Sequence, residues 1–272
     1  MWPDELIEAL ILGIIQGLTE FLPVSSSGHL TIAGTLFGLS GGENLTFAVA
    51  VHAATVLSTV CVLWKEVSGM ARGFFTFRWN EDTQMLCKIG ISMIPVGIVG
   101  LLFREQVEAL FGSGLMLTGV MLLVTAGLLV ISGFAGAPRK DTVSFRDAFW
   151  IGIAQACAVL PGLSRSGSTI AAGLLLGNRR EQVAGFSFLM VILPVLGEAV
   201  LDLLKGGFSA NASGFGPVAL GAGFLAAFVT GMLACRWMIQ LVKKGKLIYF
   251  AYYCVIAGLF AIVYSLINNA NQ

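Results

Sequence analysis

The sequence has few charged residues for its length. Only 16 Lys or Arg and 15 Asp or Glu occur among 272 residues, so 11% of the chain is charged. A soluble domain carries about a quarter. So few charges could not cover a water-facing surface, which excludes an ordinary soluble domain. The formal net charge of +1 indicates no particular partner, and no nucleic acid is expected to bind.

Regularly spaced cysteines are also lacking. The five cysteines lie in or beside apolar segments, which favours small buried side chains over a disulfide framework or a metal site. The N-terminal "MWPDEL" is acidic, whereas a signal peptide begins with positive charge, so no cleavable signal peptide is expected.

Long apolar runs are what the sequence has instead. The composition is 57% hydrophobic, and several runs exceed the roughly 18 residues that a membrane-spanning helix needs. We therefore predict an all-α polytopic membrane protein with about six transmembrane helices. The predicted spans are 45–64, 84–103, 115–135, 183–203, 215–238 and 248–267.

Two further apolar regions, 6–39 and 147–178, are interrupted by a proline and a Ser/Gly cluster. Each half is predicted to be too short to span the bilayer, which indicates a re-entrant helix–loop–helix hairpin. Such backbone is tolerated at membrane depth only where protein buries it or where it lines a wet cavity.

The two interrupted regions resemble each other at an offset of 139 residues. The matching pairs include Gly13 and Gly152, Gln16 and Gln155, Ser25 and Ser164, Ser27 and Ser166, and Gly28 and Gly167. This pattern indicates an internal duplication with halves 1–139 and 140–272. Three predicted spans separate the copies, and an odd number reverses direction. We therefore predict an inverted-topology repeat, with the binding site where the two hairpins meet near the midplane.

Lys and Arg are concentrated on one side of the predicted topology, in the loop after the first span, the long middle segment and the last loop. Because cytoplasmic loops carry the excess of positive charge, this side is predicted to be cytoplasmic. Both termini, and the mouth leading to the first Ser cluster, are then predicted to face outward.

The first hairpin carries acid–base chemistry. Gln16 and Glu20 share one helix face, and Pro23 should end that helix just beyond Glu20. The hydroxyls of Ser25, Ser26 and Ser27 and the next helix N-terminus could cradle an anion. Ser27 is predicted to cap that helix, and Ser26 to reach a ligand.

His29 follows this serine run and would complete an activated nucleophile with Ser26 and Glu20. His52 lies mid-helix without such company, and a packing or hydrogen-bonding role is expected for it. Glu198 is expected either to line the cavity or to lie near a helix end.

The second hairpin has Arg165 where the first has Ser26. A guanidinium at a helix start among hydroxyls suits a phosphate ligand. The surrounding hydroxyls are those of Ser164, Ser166, Ser168 and Thr169. One hairpin is thus predicted to supply acid–base and nucleophilic groups, and the other a phosphate clamp.

These motifs, "QGLTEFLPVSSSGH" and "PGLSRSGST", resemble the two signature motifs of the bacterial undecaprenyl-pyrophosphate phosphatase family, also called the bacitracin-resistance family. The resemblance covers essentially the whole chain. It implies a multi-pass enzyme of the bacterial cytoplasmic (inner) membrane that hydrolyses undecaprenyl pyrophosphate to undecaprenyl phosphate and inorganic phosphate. This reaction recycles the lipid carrier for peptidoglycan and is associated with bacitracin resistance.

The resemblance also implies site residues. The catalytic positions are Glu20, Ser26, His29 and Arg165. The substrate-binding positions that it implies are Gln16, Ser164, Ser166 and Thr169; Ser25 and Ser27 are further phosphate-binding candidates because they belong to the anion cradle described above. The family is described as needing a divalent cation such as Mg²⁺ or Ca²⁺. Many members have Glu where this chain has Gln16, so Glu20 and Gln16 are candidate ligands only, and the substrate phosphates are expected to hold most of the cation.

Two questions stay open at the level of sequence. The nucleophile is either Ser26, with His29 or Glu20 accepting its proton, or an activated water that Ser26 positions. An inverted-repeat transporter or polyprenyl-phosphate flippase is the alternative function, because broken helices in inverted repeats are typical of transporters. The partners expected are the polyprenyl pyrophosphate and membrane lipids, and a homodimer is left open.

Overall fold

In the computed structural model, residues 2–38, 45–76, 78–111, 114–197 and 215–270 are described, and within them regular structure is helical apart from one isolated bridge between Lys140 and Asn178. The helices are α1 Trp2–Phe21, α2 Ser26–Leu36, α3 Leu45–Val62, α4 Trp64–Thr76, α5 Glu81–Leu102, α6 Arg104–Phe111, α7 Gly114–Gly133, α8 Phe145–Cys157, α9 Arg165–Leu175, α10 Arg180–Met190, α11 Pro217–Lys243 and α12 Ile248–Ala270. The prediction of an all-α membrane protein is confirmed.

Five helical segments are long and apolar enough to cross a membrane: Glu81–Leu102, Gly114–Gly133, Arg180–Gly197, Pro217–Lys243 and Ile248–Asn268. They coincide with five of the six predicted spans. The remaining predicted span is α3, which is followed directly by α4 at an angle of 85°. Counting this bent pair as one span gives the predicted six. Part of the fourth predicted span, 198–203, lies outside the described residues, as does Glu198.

Both interrupted regions form a pair of helices joined by a tight turn, α1–α2 and α8–α9. Helices α2, α8 and α9 have 11, 13 and 11 residues, which is too short to span. Helix α1 differs from the prediction, because it begins at Trp2 and has 20 residues, a length that could cross the bilayer. Its four acidic residues distinguish it from the five apolar spans; they are Asp4, Glu5, Glu8 and Glu20.

Glycines let the helices of one half approach those of the other. A Cβ added at Gly13 in α1 would lie 2.3 Å from the carbonyl oxygen of Gly223 in α11, and one at Gly152 in α8 would lie 2.4 Å from that of Ser92 in α5. Such small residues allow close backbone packing in membranes. The offset of 139 therefore recurs in the packing of α1 and α8. Division into two inverted halves stays a prediction.

The outer surface is apolar and the interior contains the polar hairpins. Large apolar side chains such as Leu101, Phe134 and Ile256 are 85%, 84% and 70% exposed, as expected for residues that face lipid. Buried aromatic rings, Phe21 and Phe188 among them, pack edge-to-face beside the end of α1. The core thus surrounds the place where α1 ends and the first turn begins.

Candidate active site

The tips of the two hairpins contact each other. The Ser166 hydroxyl, in the first turn of α9, donates to the carbonyl oxygen of Leu22 in the turn between α1 and α2, at 3.1 Å. A Cβ added at Gly28 would lie 3.2 Å from the Cα of Gly162, and one at Gly167 would lie 3.3 Å from the Pro23 side chain. The structure therefore joins the two motifs into one site.

Each hairpin starts its second helix with the same serine cap. The Ser25 hydroxyl accepts the Gly28 N–H at 3.2 Å, and the Ser164 hydroxyl accepts the Gly167 N–H at 3.1 Å. The prediction that Ser27 caps α2 is therefore wrong. The cap is Ser25, whose backbone has a positive φ of 69°. Residues other than glycine rarely adopt this backbone conformation.

Because the cap is Ser25, Ser26 is the first residue of α2 rather than the middle of a loop. Its hydroxyl donates to the Glu20 carboxylate at 2.7 Å. Ser27 lies 3.3 Å from Ser25, hydroxyl to hydroxyl. The predicted phosphate-binding roles of Ser25 and Ser27 stay predictions.

Glu20 is the centre of the site. It is only 8% exposed, near the C-terminal end of α1, which finishes at Phe21 before Pro23 as predicted. One carboxylate oxygen, Oε1, accepts from the Arg165 guanidinium. The other, Oε2, accepts from Ser26 and from the Gln16 amide at 3.0 Å. An ionised carboxylate at this depth is stabilised because every one of these partners donates to it.

Arg165 is the first residue of α9 and links the two hairpins. Besides Glu20, its guanidinium donates to the carbonyl oxygen of Ser187 in α10 at 3.3 Å, and its side chain is 17% exposed. Two donors of the guanidinium are thus used by the protein, and others remain for a ligand. The Arg165 guanidinium and the Glu20 carboxylate therefore lie in contact, as predicted.

The four hydroxyls that surround Arg165 are buried, and those of Ser164, Ser166 and Thr169 are already paired, whereas the Ser168 hydroxyl has no hydrogen-bond partner among the described residues. Ser164 and Ser166 lie 3.3 Å apart, hydroxyl to hydroxyl. Thr169 donates to the Arg165 carbonyl at 2.9 Å and lies 2.6 Å from the Ser187 hydroxyl. In this arrangement they position the start of α9, and their predicted phosphate contacts stay predictions.

His29 does not join Ser26 and Glu20. Its Nδ1 lies 2.8 Å from the Ser25 carbonyl oxygen, and its Nε2 lies 2.7 Å from the Tyr253 hydroxyl in α12. The two rings stack with their centroids 5.5 Å apart. A carbonyl only accepts, so Nδ1 donates, and Nε2 shares a hydrogen bond with the Tyr253 hydroxyl. The predicted Ser26–His29 pair is therefore not formed, because α12 holds the imidazole.

His52 is the histidine that approaches Glu20, and sequence reasoning missed this. Its Nε2 lies 3.8 Å from Glu20 Oε2, while its Nδ1 lies 2.7 Å from the Ala48 carbonyl oxygen. An ionisable side chain in the middle of the apolar helix α3 was the signal that could have found it.

Few protein oxygens are available at this site to bind a divalent cation. Among the described residues, no group of three or more His, Cys, Asp or Glu could hold a metal ion. Gln16 is fully buried, and its Oε1 has no hydrogen-bond partner while its Nε2 donates to Glu20. An unpaired carbonyl oxygen beside a carboxylate suits a hard cation that takes its other ligands from a phosphate-rich substrate.

The arrangement joins a hydroxyl, a carboxylate that can take its proton, and a guanidinium with free donors. These are the groups that phosphoryl transfer needs: a nucleophile, a base and a positive charge for the phosphoryl oxygens. The Arg165 cation and the Glu20 anion contact each other, so each of these two charges has an opposite charge beside it.

Comparison with known proteins agrees with this chemistry. Residues 9–260 match the family described as Bacitracin resistance protein BacA. An undecaprenyl-diphosphatase of Parabacteroides distasonis is 59% identical over 96% of this chain and 98% of its own. One of Bacteroides thetaiotaomicron is 60% identical over 94% and 98%, and one of Methanobrevibacter smithii is 38% identical over 94% and 96%. This chain belongs to the BacA family.

Proposed function

We propose that this protein hydrolyses undecaprenyl diphosphate to undecaprenyl phosphate and inorganic phosphate. The reaction returns the lipid carrier to cell-wall synthesis and gives bacitracin resistance. Membership of the BacA family and the undecaprenyl-diphosphatase activity for which its relatives are named support this function. The observation that carries it within the molecule is the contact of Arg165 in one hairpin with Glu20 of the other, beside the Ser26 hydroxyl.

The geometry supports attack by Ser26 on the terminal phosphorus. The Ser26 hydroxyl proton already points at Glu20 Oε2 over 2.7 Å, so Glu20 takes it as the new P–O bond forms. The bond from phosphorus to the bridging oxygen breaks, and undecaprenyl phosphate leaves with the proton that Glu20 took. Glu20, ionised again, then takes a proton from the water that attacks the phosphoserine; the bond from phosphorus to the Ser26 oxygen breaks, inorganic phosphate leaves, and the proton returns from Glu20 to Ser26. Direct attack by water, with Ser26 as a positioning group, is the alternative within the same site.

Arg165 stabilises the charge that develops on the transferred phosphoryl group. Its guanidinium stands at the N-terminus of α9, where backbone N–H groups and the helix dipole also favour an anion. When the diphosphate enters, part of the guanidinium turns from Glu20 to the phosphate oxygens, which leaves the carboxylate free to act as a base.

A divalent cation, Mg²⁺ or Ca²⁺, belongs to this proposal. Gln16 Oε1 and the Glu20 carboxylate are the protein oxygens that would hold it, together with the substrate phosphates. When bound, the ion would neutralise part of the diphosphate charge.

An apolar groove beside the second hairpin is the proposed binding site for the isoprenoid chain of the substrate. A cavity of about 570 Å³ between α5 and α8 is lined by Pro95, Ile98, Phe149 and Ile153. It continues along Val159 and Leu160, in the turn that leads to Arg165. Ile98 and Phe149 are half-exposed on the lipid-facing surface, so a lipid chain could enter sideways from the bilayer.

The location follows from the same proposal. The protein lies in the bacterial cytoplasmic membrane, with both termini and the mouth of the site outward, because the Lys- and Arg-rich loops belong in the cytoplasm. A cysteine placed at Arg179, an exposed position of such a loop, should react with membrane-impermeant reagents only after cells are opened. A homodimer stays a prediction.

Release of phosphate from undecaprenyl diphosphate by the purified protein in detergent tests the function. Arg165→Ala should abolish it, whereas Arg179→Ala, which removes an exposed arginine paired with Asp141, should not. A chelator tests the cation in the same assay. Transport needs a sealed vesicle and hydrolysis does not, so an inactive wild-type protein in detergent would favour the flippase alternative.

A further inference from the structure

Glu20 has a third neighbour that the mechanism above does not use. His52, in the middle of α3, brings its Nε2 within 3.8 Å of Glu20 Oε2, the same oxygen that accepts from Ser26 and Gln16. The imidazole is 25% exposed, and Nε2 is its ring atom that approaches the site. Helix α3 is otherwise apolar or hydroxylic, and an imidazole there has an energetic cost that packing alone does not explain.

The hydrogen bond at the other ring nitrogen fixes how His52 can act. Nδ1 lies 2.7 Å from the Ala48 carbonyl oxygen, which can only accept, so Nδ1 carries a hydrogen. Nε2 is left for the site. An N–H at Nε2 would point towards the Glu20 oxygen that also accepts from Ser26 and Gln16.

The two histidines of the chain are therefore engaged differently. Nε2 of His29 is occupied by the Tyr253 hydroxyl, and that ring is stacked on Tyr253. Nε2 of His52 has no hydrogen-bond partner in the described part of the chain and points at the carboxylate.

We propose that His52 is a positioning residue for Glu20. This proposal rests on the hydrolytic function above. During attack, Arg165 turns partly to the phosphate and the Ser26 hydroxyl passes its proton to Glu20 Oε2, so neither of these two donors holds the orientation of Glu20 any longer. The Nε2–H of His52 closes on Oε2 and, together with Gln16, keeps the carboxylate aimed at the nucleophile. Misplacement of a catalytic group by about 1 Å can reduce a rate about 100-fold.

Two substitutions of similar size separate positioning from packing. His52→Leu keeps apolar volume without a donor, and His52→Gln keeps an N–H donor at a similar reach. Phosphate release in detergent should show kcat at least 10-fold lower for His52→Leu with KM within about threefold of wild type. His52→Gln should retain at least a third of wild-type kcat. Leu57→Ala, at a lipid-facing position of the same helix, is the control and should change neither.

A purely structural role gives the opposite order. The proposal is overturned if His52→Leu keeps more than half of wild-type kcat, or if the Leu and Gln variants lose activity equally. Thermal unfolding in detergent accompanies each measurement, and if His52→Leu unfolds, His52→Met replaces it in the comparison with Gln. A wild-type protein that releases no phosphate would instead overturn the hydrolytic function, so the two failures are distinguishable.

Discussion

The two hairpins have the same backbone plan and different chemistry. Both start their second helix with a serine cap that accepts an N–H three residues on, and both bury a glutamine whose Oε1 is unpaired, Gln16 and Gln155. At the offset of 139, however, Glu20 corresponds to Val159 and Ser26 to Arg165. The capped turn is therefore the scaffold common to both hairpins, and the proposed reaction depends on residues that the two copies do not share.

The largest effect is expected from substitution of Glu20, a carboxylate that has no counterpart in the second hairpin. Glu20→Gln keeps the shape of the side chain but cannot accept the Ser26 proton, and general-base catalysis contributes about 10²–10⁴-fold. We expect kcat for phosphate release to fall within that range, with the protein still folded. Glu8→Gln, on the same helix, is the control. Full activity of Glu20→Gln would remove the carboxylate from the mechanism.

The serines of the first hairpin should differ next. Ser26→Ala removes the hydroxyl that contacts Glu20 and should lower kcat by about 100-fold or more, because a nucleophile is lost. Ser27→Ala removes a hydroxyl that contacts only Ser25 among the hydrogen bonds of the described residues and should have an effect within about threefold. Rapid quenching should trap a phosphoserine at Ser26. Near-normal turnover of Ser26→Ala would favour attack by water.

The packing of the first hairpin can be tested without touching its chemistry. Gly13→Ala would place a methyl group against the α11 backbone, and overpacking of this kind costs about 1–3 kcal/mol. The melting temperature in detergent should fall by several degrees. Gly34→Ala, where no atom lies within 4 Å of an added Cβ, should leave it unchanged. Equal effects at both glycines would contradict close contact between α1 and α11.

The smallest effect concerns the apolar groove between α5 and α8. The second hairpin contributes to its lining and the first hairpin does not. Ile153→Trp fills the groove and should raise KM for undecaprenyl diphosphate about threefold, equivalent to roughly 0.7 kcal/mol of lost binding, with kcat little changed. The equivalent residue of the first hairpin, Ile14, is exposed away from that groove, so Ile14→Trp is the matched control. A short-chain substrate should be insensitive to both.

The sequence predicted the elements better than the contacts between them. Apolar length gave the spans, and Pro23 gave the end of α1 at Phe21, because both depend on local properties. The cap was misassigned to Ser27 because the turn places Ser25 at a positive φ. A positive φ is usually predicted from a glycine, and this position has a serine. The tip of each hairpin was thus predicted to within two residues.

The histidines show what local pattern cannot supply. His29 lies three residues from Ser26 in the chain, yet Tyr253 in α12 holds its ring. His52 lies in another helix, yet its ring approaches Glu20. Which imidazole approaches Glu20 is decided by how α3 and α12 pack against the first hairpin, and no spacing within the motif contains that information.

The link between Glu20 and Arg165 joins positions 145 residues apart in the chain. On the proposed mechanism, a ribosome that has synthesised only the first half has made the nucleophile and the base but no guanidinium to complete them. We therefore expect hydrolytic competence to arise late in biosynthesis, once α9 has entered the bilayer and met the earlier turn, and a truncated product to be inert towards the lipid carrier.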